Sequence, residues 1–153
     1  EGAEASFELL VRRNIPGYAP PFELDDFVIV ERHRHEDGSD QSRDMIAEAM
    51  LKVRVGDEIL HTAAEGNGPI NALDIAARKA LVSIWTSLDK ATLADYKVRI
   101  LDGHDATASS VRVLIESTDG DRYWTTVGAS TDIIEASWLA LADALEFAIL
   151  KNN

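Results

Sequence analysis

A chain that repeats itself at a fixed distance can fold only into something that repeats. Here the segment "GDEILHTAAEGNGPINALDIAARKAL", which begins at Gly56, lies without a gap over "GDRYWTTVGASTDIIEASWLALADAL", which begins at Gly120. Gly56 meets Gly120, Asp57 meets Asp121 and Thr62 meets Thr126. Ala72, Ala76 and Ala80 meet Ala136, Ala140 and Ala144, and Leu81 meets Leu145. The alanines fall four apart, so each helix carries one smooth ridge that permits close approach to a sheet or to a twin helix.

Each copy reads as three strands followed by a helix. In the first, "FVIVERH" (27–33), "MIAEAMLKVRV" (45–55) and "EILHTAA" (58–64) are rich in β-branched and apolar residues, and Gly56-Asp57 turns the chain between the last two. A helix opens at Pro69, where a missing N–H does no harm, and runs to about Trp85 with Ile70, Leu73, Ala77, Leu81 and Ile84 along one stripe. In the second, strands are expected at 96–101, 110–117 and 121–127, with Asp119-Gly120 as a hairpin signal. The last helix spans about 132–150 and lines up Ile134, Trp138, Leu141 and Leu145. The fold class is therefore α+β: internally duplicated βββα units, with two helices packed on antiparallel sheets. The sheet edges invite pairing with a second copy, so a homodimer is the default expectation.

Ahead of the duplication, residues 2–13 read as a helix with Ala3, Phe7 and Leu10 on one face. "NIPGYAPPFEL" then packs three prolines and a glycine into a connector. This divides the chain into a helix at 1–13, a Pro-rich connector at 14–23 and a duplicated domain at 24–153, with repeats at 24–88 and 93–150. The sequence opens on "EGAEASFELL" without an initiator Met, as a fragment cut from a longer protein or a processed piece would.

Composition narrows the chemistry. With 46% hydrophobic residues, 153 residues can bury a real core. A net charge of −12 disfavours nucleic acid and anionic membranes, which need clustered Lys and Arg. No apolar run approaches a membrane span, and no secretory signal is visible. Cys is absent, which removes disulfides and thiolate chemistry and fits a cytoplasmic setting.

No constellation reads as catalytic. "EGNGP" contains a GxG but neither GxGxxG nor GxxxxGK[ST], and the equivalent joint in the second copy, "GASTDI", lacks both glycines and the proline; it is a sheet-to-helix joint before it is a phosphate loop. Its N–H groups still suit a small anion or an amino-acid carboxylate. His33 and His35, with Glu31 and Glu36 nearby, could share one strand face and hold a metal, but no further His or Cys completes a set. His61 and His104 are isolated. Ser109, Ser110 and Ser137 sit in no nucleophile elbow.

Taken together, "EGNGPINALDIAARKAL", "LADYKVRILDG", "VRVLIESTDGDRYWTTVG" and "STDIIEASWLALADALEF" resemble the C-terminal regulatory domain of the α-isopropylmalate synthase family, nearest to its citramalate synthase branch. The resemblance covers residues 24–150, and "GAEASFELL" looks like the linker segment that precedes the domain there. It implies a pseudo-twofold pair of βββα units serving dimerisation and feedback inhibition by an end-product branched-chain amino acid, isoleucine or leucine, with isoleucine favoured. Parent enzymes of this family are acyltransferases that condense acetyl-CoA with a 2-oxo acid, using a divalent metal in an N-terminal barrel. That barrel would be a partner within the same chain; these 153 residues would hold no catalytic residue, metal or cofactor of their own. Carried over by motif, Gly66, Gly68, Ile70 and Asn71 would flank the effector's polar end. Leu93, Tyr96 and Ile100 would line its branched side chain, and Thr131 and Ile133 would close it. Relatives often carry an acid where this chain has Asn71, which leaves the effector's ammonium to an amide or to another acid such as Glu65.

Overall fold

Among the described residues, three helices and six strands follow in the order α1 (Glu4–Arg13), β1 (Glu23–His33), β2 (Met45–Val55), β3 (Glu58–Gly66), α2 (Pro69–Leu81), β4 (Thr92–Leu101), β5 (Ser110–Thr118), β6 (Tyr123–Ser130) and α3 (Ile133–Lys151), with a 3-10 turn at Thr86–Lys90. The computed structural model describes residues 2–33, 45–101 and 109–152. The strands form two separate antiparallel sheets, β1-β2-β3 and β4-β5-β6, each followed by its helix. The protein is α+β, built from duplicated βββα units. By contacts the chain divides into two compact units, Phe22–Ile84 and, together, Glu1–Pro21 with Trp85–Asn153.

The duplication reaches individual bonds. Thr62 Oγ1 donates to the Ala76 carbonyl at 2.8 Å, and Thr126 Oγ1 to the Ala140 carbonyl at 2.7 Å, the same pair of positions in each copy. Gly56 and Gly120 both turn with left-handed φ, +59° and +97°, a region that disfavours any side chain. Both first strands carry an irregularity at the same place: β1 between Leu24 and Asp26, β4 between Leu93 and Asp95. One extra residue there puts Leu24 on the same face as Phe27, and Leu93 on the same face as Tyr96, although each pair is three apart.

In each unit the alanine ridge lies against the unit's own sheet. Ala72, Ala76, Ala80, Ala136, Ala140 and Ala144 are all buried. Beneath them lie Ala47, Ala49, Leu51 and Val53 of β2 in one unit, and Val113 and Ile115 of β5 in the other. The fit is tight enough to fix residue types: a Cβ on Gly128 would run into the Ala136 carbonyl oxygen and Ala140 N. The Trp124 indole N–H donates to the Ala144 carbonyl at 3.1 Å, tying β6 to α3.

Two helix faces differ from expectation. In α1 the stripe facing the protein is Ala5 and Leu9; Phe7 is 68% and Leu10 57% exposed. The small stripe Ala5–Leu9–Arg13 is what the neighbouring surface admits, because Arg13 brings ion pairs that an apolar-face reading overlooks. α2 stops at Leu81, four residues short of Trp85, so Ile84 falls beyond the helix and is exposed.

Candidate functional site

In the unit containing the first repeat, β3 ends at Gly66 and α2 begins at Pro69. Gly66 is a glycine for steric reasons: a Cβ there would sit 2.5 Å from Ala72 N and 2.6 Å from Asn71 Oδ1. The strand end thus rests against the first turn of the helix. Asn71 Oδ1 accepts the Asn67 backbone N–H at 3.2 Å and holds the loop closed. Gly68 is the N-cap, in extended conformation and without a side-chain cap. The first intrahelical bond runs from Ala72 N–H to the Gly68 carbonyl at 3.0 Å, which leaves the Ile70 and Asn71 N–H groups at an uncapped positive helix end. Glu65 pairs across the sheet with Glu48, one step out of phase with the Ala47–Gly66 pair, so it lies on the face turned away from α2.

The equivalent joint in the other unit is built differently. Asp132 caps α3, accepting from Ile134 N–H at 2.7 Å and Glu135 N–H at 3.1 Å. Thr131 and Ile133 flank this cap and are exposed. An Asp cap satisfies the helix end internally, whereas Gly68 does not.

β4 carries Leu93, Tyr96 and Ile100 on one face, where they pair with Ser117, Ile115 and Val111 of β5. Val98 belongs to the same row, opposite Val113, although sequence reasoning passed over it. α3 packs over β5 and β6, so this row becomes more exposed along the strand: Leu93 and Tyr96 are half-buried, Val98 is 38% and Ile100 74% exposed. Ser137, which sequence reasoning considered only as a nucleophile, links two of the named residues. Its hydroxyl donates to the Ile133 carbonyl at 2.7 Å and lies 2.7 Å from the Tyr96 hydroxyl. A serine has one hydrogen to give, so Tyr96 is the donor in that second bond. The first repeat has Phe27 and Leu73 at these positions, so the hydroxyl pair belongs to the second repeat alone. The i, i+4 back-bond of Ser137 could have been anticipated from sequence; its meeting with Tyr96 could not, because it depends on the β4 irregularity.

Other concavities lie elsewhere in that unit. One, of about 220 Å³, includes Tyr123, Trp124, Phe147 and Lys151. Another, of about 50 Å³, lies among Lys97, Arg99, Arg112 and Leu114. Neither includes any of the nine residues named from sequence. On the metal question, His33 Nε2 lies 3.2 Å from Glu31 Oε2, while His35, Glu36 and His104 fall outside the described residues. Among the described residues no group of three or more His, Cys, Asp or Glu could hold a metal ion, and no helix is long and apolar enough to cross a membrane.

Fold and site together define a duplicated βββα domain with one uncapped and one capped helix start, and an apolar row on its fourth strand that is half-buried at Leu93 and Tyr96 and exposed at Ile100. The sequence matches the LeuA allosteric (dimerisation) domain over residues 1–149, and the chain belongs to that family. Among its relatives, an (R)-citramalate synthase of Geobacter sulfurreducens is 48% identical across the whole chain, and one of Aquifex aeolicus 44%; the chain spans 28% of the length of each. A 2-isopropylmalate synthase of a Geobacillus species is 30% identical over 84% of this chain and 26% of its own length.

Proposed function

We propose that this chain is the regulatory and dimerisation domain of a citramalate synthase-like acyltransferase, and that it binds a branched-chain amino acid, isoleucine in preference, to inhibit the parent enzyme. The observation that carries this reading is the similarity to citramalate synthases along the whole chain, set beside the lower identity and shorter coverage of the isopropylmalate synthases. The physical chemistry supports it. An amino-acid carboxylate suits the uncapped start of α2, where the Ile70 and Asn71 N–H groups gather beside Gly66 and Gly68. A branched aliphatic side chain suits the apolar lining that Leu93, Tyr96 and Ile100 would give, and Thr131 and Ile133 would close it. The domain would act as a homodimer in a cytoplasmic enzyme, coupled to a catalytic barrel of the same chain. The barrel would supply the divalent metal and the acetyl-CoA chemistry; this domain by itself would turn over no substrate. Inhibition then requires that the effector bind more tightly to the inhibited arrangement than to the active one.

One observation favours a second reading, a structural dimerisation domain without effector. The Tyr96 hydroxyl is already engaged with Ser137, and Asn71 Oδ1 with Asn67 N–H. Calorimetric titration with L-isoleucine, L-leucine and L-valine separates the readings. Selective isoleucine binding is expected. A preference for leucine would make the domain the sensor of a 2-isopropylmalate synthase, and silence from all three in a stable dimer would favour the structural reading.

A further inference from the structure

α1 is joined by the short connector to the first repeat, yet it packs on the second. Loop closure favours the nearer surface, so the choice must come from the surfaces themselves. On the second repeat α1 buries Ala5 and Leu9 beside α3 and the edge of β6. The Ser6 hydroxyl accepts the Val127 N–H at 2.9 Å, covering the open edge of the sheet, and donates to Asp143 at 2.7 Å. Arg13 reaches Asp143 at 2.7 Å and Glu146 at 2.6 Å, and both of these carboxylates are largely withdrawn from solvent. Lys151 adds a 3.0 Å contact to Glu8.

The first repeat presents the same edge with the charge reversed. The counterpart of Val127 is Ala63, that of Asp143 is Lys79, and that of Glu146, one residue past the gapless match, is Val82. Lys79 Nζ donates to the Ala63 carbonyl at 3.1 Å, so a lysine guards the edge position that Ser6 covers in the second repeat. A helix presenting Arg13 there would meet an ammonium in place of two carboxylates.

We propose that Asp143 and Glu146 assign α1 to the second repeat and that Lys79 bars it from the first, so that a domain duplicated in fold is coupled to its preceding segment through one repeat only. The surface formed by α3 and the β6 edge is the dock for this chain's own α1, a helix with a small apolar stripe and a basic end.

Hydrogen exchange on the 153-residue chain tests the dock. Asp143→Lys with Glu146→Val installs the first repeat's residues on the second. The α1 amides should then exchange at least about tenfold faster, while β4–β6 and α3 keep their protection. Arg13→Asp alone changes only α1 and should give the same result. Combining all three substitutions restores opposite charges and should return the protection. Unchanged α1 exchange in the first two variants, or no recovery in the third, overturns the assignment. For the exclusion, a synthetic peptide of residues 2–18 is titrated onto Lys79→Asp with Val82→Glu. It should bind at least about tenfold more tightly than to the unaltered chain, and equal binding overturns the role of Lys79.

Discussion

Thr62 and Thr126 make the same bond in two places but not in the same surroundings. Thr126 is fully buried and Thr62 half-buried. Each bonded carbonyl also belongs to a helix, so Thr→Val removes a hydroxyl bond without stranding the acceptor. Thr126→Val should destabilise by about 1–2 kcal/mol and Thr62→Val by less than about 1 kcal/mol, as read by urea unfolding of each variant. Glu146 offers a residue-scale test of electrostatics. Burial pushes its carboxyl above the ordinary glutamate range, with Arg13 opposing and Asp143 adding to the rise. The folded state therefore holds this proton more tightly than the unfolded chain, and stability falls as pH rises from the ordinary glutamate value through the raised one. Unfolding free energies measured across that interval should lose this part of their slope in Glu146→Gln; an unchanged slope would mean that burial does not dominate at this site.

At the scale of elements, the sequence announced each helix and strand but not all of their ends. The expected first strands began at Phe27 and Tyr96, the residues just past each irregularity, whereas the strands begin at Glu23 and Thr92. An extra residue breaks the period-two alternation, so the run before it does not look like strand. The irregularity is also what aligns Leu93 with Tyr96, which made the site's apolar row harder to read than its residues. The α1 face differs from expectation because Phe7 and Leu10 are its largest apolar residues, while docking depends on Ala5, Leu9 and Arg13. The alanine ridge was legible at once, since only small side chains at i, i+4 and i+8 permit such close approach. Gly128→Ala tests that closeness: its Cβ would strike the backbone of α3 rather than a movable side chain. Unfolding by urea should show a loss of about 1–3 kcal/mol or more. A neutral result would mean that α3 can lift from its sheet at no penalty.

At the scale of the whole molecule, duplication sets the frame and departures from it locate the special features. α3 is capped by Asp132 where α2 starts on an unadorned Gly68, Tyr96 and Ser137 replace Phe27 and Leu73, and Asp143 replaces Lys79. The repeat was visible in the sequence because close packing constrains the ridge and the turns. Asp132 against Gly68 and Asp143 against Lys79 are legible in the gapless match, whereas the Tyr96–Ser137 pair is not, because it depends on the β4 irregularity. The central proposal is that this chain binds a branched-chain amino acid through the residues named by its resemblance to the family. Amide chemical shifts of the isotope-labelled chain, followed while L-isoleucine is added, test it most directly. The account predicts saturable changes at residues 66–71, 93–100 and 131–133. No change at any concentration, or changes confined to the cavity of Tyr123, Trp124 and Phe147, would contradict it.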